Sequence, residues 1–168
     1  MTVGESRDIG LLVGPSRSRQ PAGWPDVPDA VRRTMRANKG KDTKPELALR
    51  SLLHRAGYRF RIHVRDLPGT PDVVFTARRK VVCVHGCFWH AHPDCRYATV
   101  PKTRADYWIP KLERNRERDA EHAIRLRGMG WASVVVWECE MKDPVCVLER
   151  LSAFLGPSRH RPPGRSSS

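Results

Sequence analysis

The sequence predicts a single α/β domain built around a mixed sheet, and three observations carry that expectation. Two β-branched runs, Asp72-Val73-Val74-Phe75 and Lys80-Val81-Val82-Cys83-Val84, are separated by a short polar link. A long charged stretch, Arg104 to Met129, carries a helical stripe, and a third apolar run, Trp131 to Trp137, follows it. Strand, strand, long helix, strand makes the last strand a parallel neighbour by a crossover connection, while the first two form a hairpin of central strands.

The first element is a helix. Thr43-Lys44-Pro45-Glu46 supplies a cap, a Pro in the first turn and an acid at the positive helix end, with Leu47, Leu49, Leu52 and Leu53 following at helical spacing and Gly57 ending it. Leu67-Pro68-Gly69-Thr70-Pro71 is a turn signal leading into the hairpin, and Ala77-Arg78-Arg79 is the hairpin link. In the long charged stretch, Leu112, Ala120, Ala123, Ile124 and Leu126 lie on one packing stripe, and Gly128 and Gly130 stop the helix. Pro110 cannot donate to a helical ladder, so the main helix is expected to begin there, with Tyr107 and Trp108 in a preceding turn. The run from Trp131 to Trp137 reads as a buried strand.

Residues 1–30 and 156–168 are rich in Pro, Gly, Ser and Arg and hold too few apolar groups to offset the entropy of ordering. Both are expected to be disordered tails around a domain of residues 31–155. No apolar run approaches the roughly 20 residues needed to span a bilayer, and Met1 to Gln20 lacks the apolar core of a secretory signal, so the expected compartment is the cytoplasm.

The net charge is +13 with a pI near 10.3. Residues 31–155 hold 25 Lys and Arg against 14 Asp and Glu, so the surplus belongs to the folded body and asks for a polyanion such as nucleic acid. The five cysteines are an odd number in a chain without an export signal, which argues for reduced thiols and for metal rather than disulfides.

Val84 to Cys95 packs two thiols, three imidazoles and two large aromatics into twelve residues, and Cys139 follows the third apolar run. Cys87, His92, Cys95 and Cys139 form a set of the kind that closes a structural, tetrahedral zinc site, pinning the loop after one strand to the end of another. His90 competes with His92 for the fourth place, and spacing does not choose. Cys83, in an apolar strand, and Cys146 read as small buried hydrophobes.

Asp72, at the start of a strand, is placed to hold a hard cation such as Mg²⁺ through oxygen. His85 and His90 are left to activate water and protonate a leaving group, or only to brace the zinc loop. Asp119 on the long helix is a candidate acceptor orienting one of those rings. Phe88 and Trp89 sit in a loop between a Cys and a His, where adjacent aromatics do not easily both turn inward; with Trp108 they are candidates for stacking on bases or wedging between base pairs.

These residues resemble one family, the very-short-patch repair endonucleases, which nick DNA at T:G mismatches. The resemblance runs in order from about residue 34 to about residue 141, through Met35-Arg36-Ala37, Asp42-Thr43, Glu46, Leu67-Pro68-Gly69, Pro71-Asp72, His85-Gly86-Cys87-Phe88-Trp89-His90, Val100-Pro101, Thr103-Arg104, Trp108, Glu117-Arg118-Asp119, Gly130-Trp131 and Val136-Trp137-Glu138-Cys139. It implies a restriction-endonuclease-like fold. It also implies a strand-specific, Mg²⁺-dependent cut 5′ to the mismatched T, with structural Zn²⁺ and duplex DNA as substrate.

By resemblance, Asp72 and the backbone carbonyl of Val84 hold the catalytic metal. His90 activates the attacking water, assisted by Glu46, and His85, paired with Asp119, helps the leaving group depart. Phe88, Trp89 and Trp108 enter the DNA from the major groove, and Met35 from the minor groove. The resemblance further implies a monomer at the bacterial nucleoid, with mismatch-repair proteins as partners. Three stretches depart from the family pattern or its wider class. Val82-Cys83-Val84-His85 replaces the acid and lysine of other restriction-like nucleases and fits this family's histidine variant. Ala91, Pro93 and Asp94 alter the zinc loop, and Asn38-Lys39-Gly40-Lys41 differs in the arm. The other readings are a non-catalytic zinc-stabilised DNA-binding module and a restriction endonuclease on paired DNA.

Overall fold

The computed structural model describes residues 40–158. The expected tail at residues 1–30, most of that at 156–168, and Met35 lie outside the described residues.

Helix α1, Lys44–Arg55, is the first element among the described residues, with Thr43 at its N-cap and Pro45 in the first turn. The Thr43 hydroxyl does not cap the backbone; it donates to Glu46 Oε1 at 2.8 Å, and Glu46 Oε2 reaches back to accept the Asp42 N–H at 2.9 Å. Gly57 follows the helix with φ +86°, a conformation that costs a residue without Cβ little.

Strand β1, Val73–Phe75, pairs antiparallel with β2, Lys80–His85, placing Val73 opposite Val82. The link is a 3-10 turn, Thr76–Arg78, closed by Arg79 at φ +50°. Helix α2, Ala105–Gly128, then crosses to β3, Ala132–Trp137, which runs parallel to β2. Among the described residues the sheet order is β1-β2-β3, which makes β2 the central strand. A 3-10 turn, Glu138–Lys142, leads into α3, Pro144–Leu155.

Strand alternation divides the core. Val73, Phe75, Val82 and Val136 face Leu49 and Leu53 of α1 and Val147, Leu151 and Leu155 of α3. Val74 and Val81 face the other way, onto Leu67 and onto Leu126 of α2. The mixed sheet is thus flanked by helices on both faces, as the sequence predicts, and β1 is buried at every residue because both of its faces are covered.

Several local expectations give way. Helix α2 runs unbroken through Pro110 and contains Tyr107 and Trp108. Pro110 lies in the second turn, where its missing N–H removes one ladder bond. The expected α2 stripe is covered only in part: Leu112 and Leu126 are buried and Ala123 half-buried, but Ile124 is 69% exposed and Ala120 is exposed, and on α1 Leu47 is 52% exposed. Strand β3 is an edge, so Ala132 and Ser133 are exposed and Val136 is its one buried residue. Cys146 is exposed rather than buried.

Helix α3 goes beyond the elements expected from the sequence. Its signals are local: the Asp143 carboxylate accepts the Cys146 N–H at 3.0 Å, Pro144 stands in the first turn, and Val147, Leu151 and Leu155 share the buried face. No described helix is long and apolar enough to cross a membrane.

Leu53 is fully buried and Ile124 is largely exposed. Urea unfolding should therefore show Leu53→Ala losing about 2–5 kcal/mol and Ile124→Ala changing by less than about 0.5 kcal/mol. Equal losses would place Ile124 in the core after all.

Candidate functional site

The last pair of the parallel ladder is His85 opposite Trp137. Cys87 and Cys139 each lie two residues beyond it, so the register itself brings the two thiols to the same end of the sheet. The loop after β2 then folds back, with the His92 N–H donating to Cys87 O at 2.9 Å and Ala91 and Asp94 in the left-handed region at φ +46° and +53°.

This brings the ligand atoms of Cys87, His92, Cys95 and Cys139 within 4.8 Å of one another. The His92 ring stacks on Trp137 at 4.1 Å and 9°, with Nδ1 3.4 Å from Cys139 Sγ. Ligands about 2.3 Å from a tetrahedral ion stand about 3.8 Å apart, so the four atoms are close to the spacing that one zinc ion needs. Burial pushes the Cys87 thiol up to about 12 and that of Cys139 upward, whereas the Tyr97 N–H lowers that of Cys95. A dication is what would ionise such a mixed set. Three sulfurs and one imidazole nitrogen suit zinc, and of the two competing histidines the geometry places His92 in this group.

His90 belongs to a second group, with His85 and Asp119. Asp119 reaches in from the middle of α2 and its Oδ2 pairs with His90 Nδ1. The resemblance pairs Asp119 with His85; here its hydrogen-bond partner is His90, because His85 lies flat against the His90 ring, 3.9 Å between centroids at 14°, with its edge toward Trp137. Burial, reinforced by His90, lowers His85 to about 4 and leaves that ring neutral at neutral pH. Burial alone raises the Asp119 carboxyl, but the His90 bond and the nearby cationic groups win and its pKa falls. Arg118 stands 3.6 Å from Asp119 on the exposed side.

Asp72 is tied to the same strand end, since its Oδ2 accepts the Val84 N–H at 2.7 Å. Burial raises its carboxyl to about 6; the Val84 bond and Arg50 pull it down, and the neighbouring Glu46 charge pushes it up. The preceding turn is wedged against α2. Gly69 has φ +75°, and a Cβ there would come 2.7 Å from His122 Nδ1. That close approach fixes the chain just before Asp72 relative to the helix that carries Asp119.

Glu46, which the resemblance gives a role assisting His90, lies on the buried face of α1, near enough to Asp72 for its charge to raise that carboxyl. Both of its oxygens are engaged, by Thr43, the Asp42 N–H and Arg50. Cys83, read from the sequence as an inert core residue, is half-buried beside the site: burial and the charges of Asp72 and Asp119 push its thiol up to about 12.

Phe88, Trp89 and Trp108 form an edge-to-face cluster with centroid separations of 5.1 to 6.0 Å, extended by Tyr107. All are half-buried. Asn115, which sequence reasoning missed, donates to the Trp89 carbonyl at 2.9 Å and ties the loop to α2. Arg50 was also missed; its signal was the i,i+4 spacing from Glu46.

Comparison with known proteins bears on this arrangement. Residues 25–97 match the family model described as DNA mismatch endonuclease Vsr. The type II nicking enzyme V.XorIIP of Xanthomonas oryzae pv. oryzae is 52% identical over 131 residues, covering 78% of this chain and 96% of the relative. DNA mismatch endonuclease Vsr of Escherichia coli K12 is 43% identical over 119 residues, covering 70% of this chain and 76% of the relative. The type II nicking enzyme V.NaeI of Lentzea aerocolonigenes is 44% identical over 122 residues, covering 69% and 72%. With identities of 43 to 52% over 72 to 96% of these relatives' lengths, the chain belongs to the Vsr family of DNA mismatch endonucleases.

Proposed function

We propose that this family member, a DNA endonuclease, nicks one strand of duplex DNA 5′ to the T of a T:G mismatch in very-short-patch repair, using Mg²⁺ for the chemistry and Zn²⁺ as a structural ion. The observation that carries the reading is the convergence at one strand end of a half-buried carboxylate, Asp72, with the stacked His85 and the paired His90 and Asp119.

Asp72 and the Val84 carbonyl are the residues that would hold Mg²⁺. The N–H and C=O of one strand residue point to the same edge, so the Val84 carbonyl is aimed toward the side where the Asp72 carboxylate accepts the Val84 N–H. Two oxygens are a hard donor set suited to this ion. When bound, the ion neutralises charge on the phosphate and lowers the pKa of water.

The chain's own residues supply the rest. Because His90 Nδ1 is bonded to Asp119, Nε2 is the nitrogen left to take a proton from the attacking water, with Asp119 fixing the tautomer and stabilising the resulting imidazolium. His85 stays neutral and is suited to donate an N–H to a phosphate oxygen or the departing oxygen. Phe88, Trp89 and Trp108 present a rigid apolar edge, and unstacking costs less at a mispair, so deformability assists selection.

A nicking assay on a T:G duplex with its T:A control tests this. Nicking of the T strand should require Mg²⁺ and favour the mismatch, and Asp72→Asn should abolish it while DNA binding persists. Binding without any nicking would favour a non-catalytic module, and cutting of both strands of paired DNA a restriction enzyme.

The state of His85 has its own signature. Its folded pKa of about 4 lies below its ordinary value of 6.5, so between these pH values the unfolded chain binds more protons and stability is lost as pH falls. Urea midpoints at pH 7 and pH 5 should show the wild type losing ground to His85→Gln on acidification. A constant gap would mean that the ring titrates normally.

A further inference from the structure

We propose that Arg50 is a positioning residue for strand cleavage, acting through Glu46: its guanidinium holds the Glu46 carboxylate fixed on the face of α1 that packs over the strand Asp72 leads into. This rests on Asp72 being the cation-holding carboxylate.

Arg50 lies one turn along α1 from Glu46, and both are buried, at 8% and 6% exposure. Its Nη2 donates to Glu46 Oε2 at 3.0 Å and its Nη1 to Asp42 Oδ1. Its Nε is buried without a hydrogen-bond partner, the one such side-chain atom among the described residues. A guanidinium removed from water is costly unless its charge is matched, and leaving one donor empty adds to the cost. The position is therefore dictated by the carboxylates on the two Nη atoms and not by the arginine's own satisfaction.

A simple helix brace does not require this. Glu46 already ties the start of α1 through the Thr43 hydroxyl and the Asp42 N–H, two bonds that need no buried cation. What the cation adds is charge where α1 meets the strand that Asp72 leads into: Glu46 and Arg50 share a buried stripe with Leu49 and Leu53, and those leucines pack in one core cluster with Val73, the residue after Asp72. Asp42, at φ +55° and also 3.4 Å from His63, is gripped by the same fork, so the segment entering α1 and the Glu46 carboxylate are fixed together.

The test is a double-mutant cycle on single-turnover nicking of a T:G duplex at saturating Mg²⁺, at a temperature where circular dichroism shows every variant folded. Arg50→Met should lower the rate by about tenfold or more with half-saturating DNA changed by less than about threefold, and Arg50→Lys, which keeps the charge, should recover part of the loss. The Arg50→Met/Glu46→Gln double variant should be no slower than Glu46→Gln alone. A wild-type rate in a destabilised Arg50→Met would reduce Arg50 to a brace, and losses that multiply would show that it does not act through Glu46. Either overturns its role alone. Wild-type nicking by Asp72→Asn would instead remove the assignment of the cation to Asp72, and this proposal with it.

Discussion

Six paired residues join β2 to β3 in parallel, from Lys80 opposite Ala132 to His85 opposite Trp137, and the site is laid out from the end of that ladder. A parallel pair sends both chains out of the sheet at the same end, which is why thiols two residues beyond each strand, Cys87 and Cys139, meet. His85 closes the ladder, Val84 precedes it and binds the Asp72 carboxylate, and the loop that follows carries His90, Phe88 and Trp89. A slip of one residue in this register would turn His85 to the opposite face and separate the thiols.

The two metal roles separate by donor chemistry. Three thiols and His92 make a soft set suited to holding a loop, while Asp72 offers hard oxygen. Between them, His85 and His90 belong to neither: their rings stack, and Asp119 fixes one of them from α2. The Gly69 turn packed against His122 and the Asn115 bond to Trp89 tie the strand end to that same helix. In the proposed function, an ion held by the four Cys and His ligands would fix where the histidines and aromatics lie.

Much of this was legible in the chain because it is local or periodic. β-branched runs, the LPG turn and the helical stripe produce the hairpin and crossover, and the Cys and His spacing announces the metal loop. What was not legible depends on what covers a surface. Ile124 and Leu47 fit a helical stripe, but no described element packs over them, and β3 reads as buried until it proves to be an edge among the described strands. The choice between His90 and His92 turns on left-handed residues at Ala91 and Asp94, which spacing does not encode. The partner of Asp119, the inward position of Cys83 and the buried Arg50 are tertiary outcomes of the same kind.

The central claim is that the parallel register builds a three-sulfur, one-nitrogen zinc site on which the histidines are mounted. Zinc-edge X-ray absorption on the purified protein tests it most directly. The account predicts one zinc per chain with three sulfur and one nitrogen neighbours, and loss of the thermal transition when the ion is stripped. A protein that retains its transition without metal, or an ion surrounded mainly by oxygen, would contradict it.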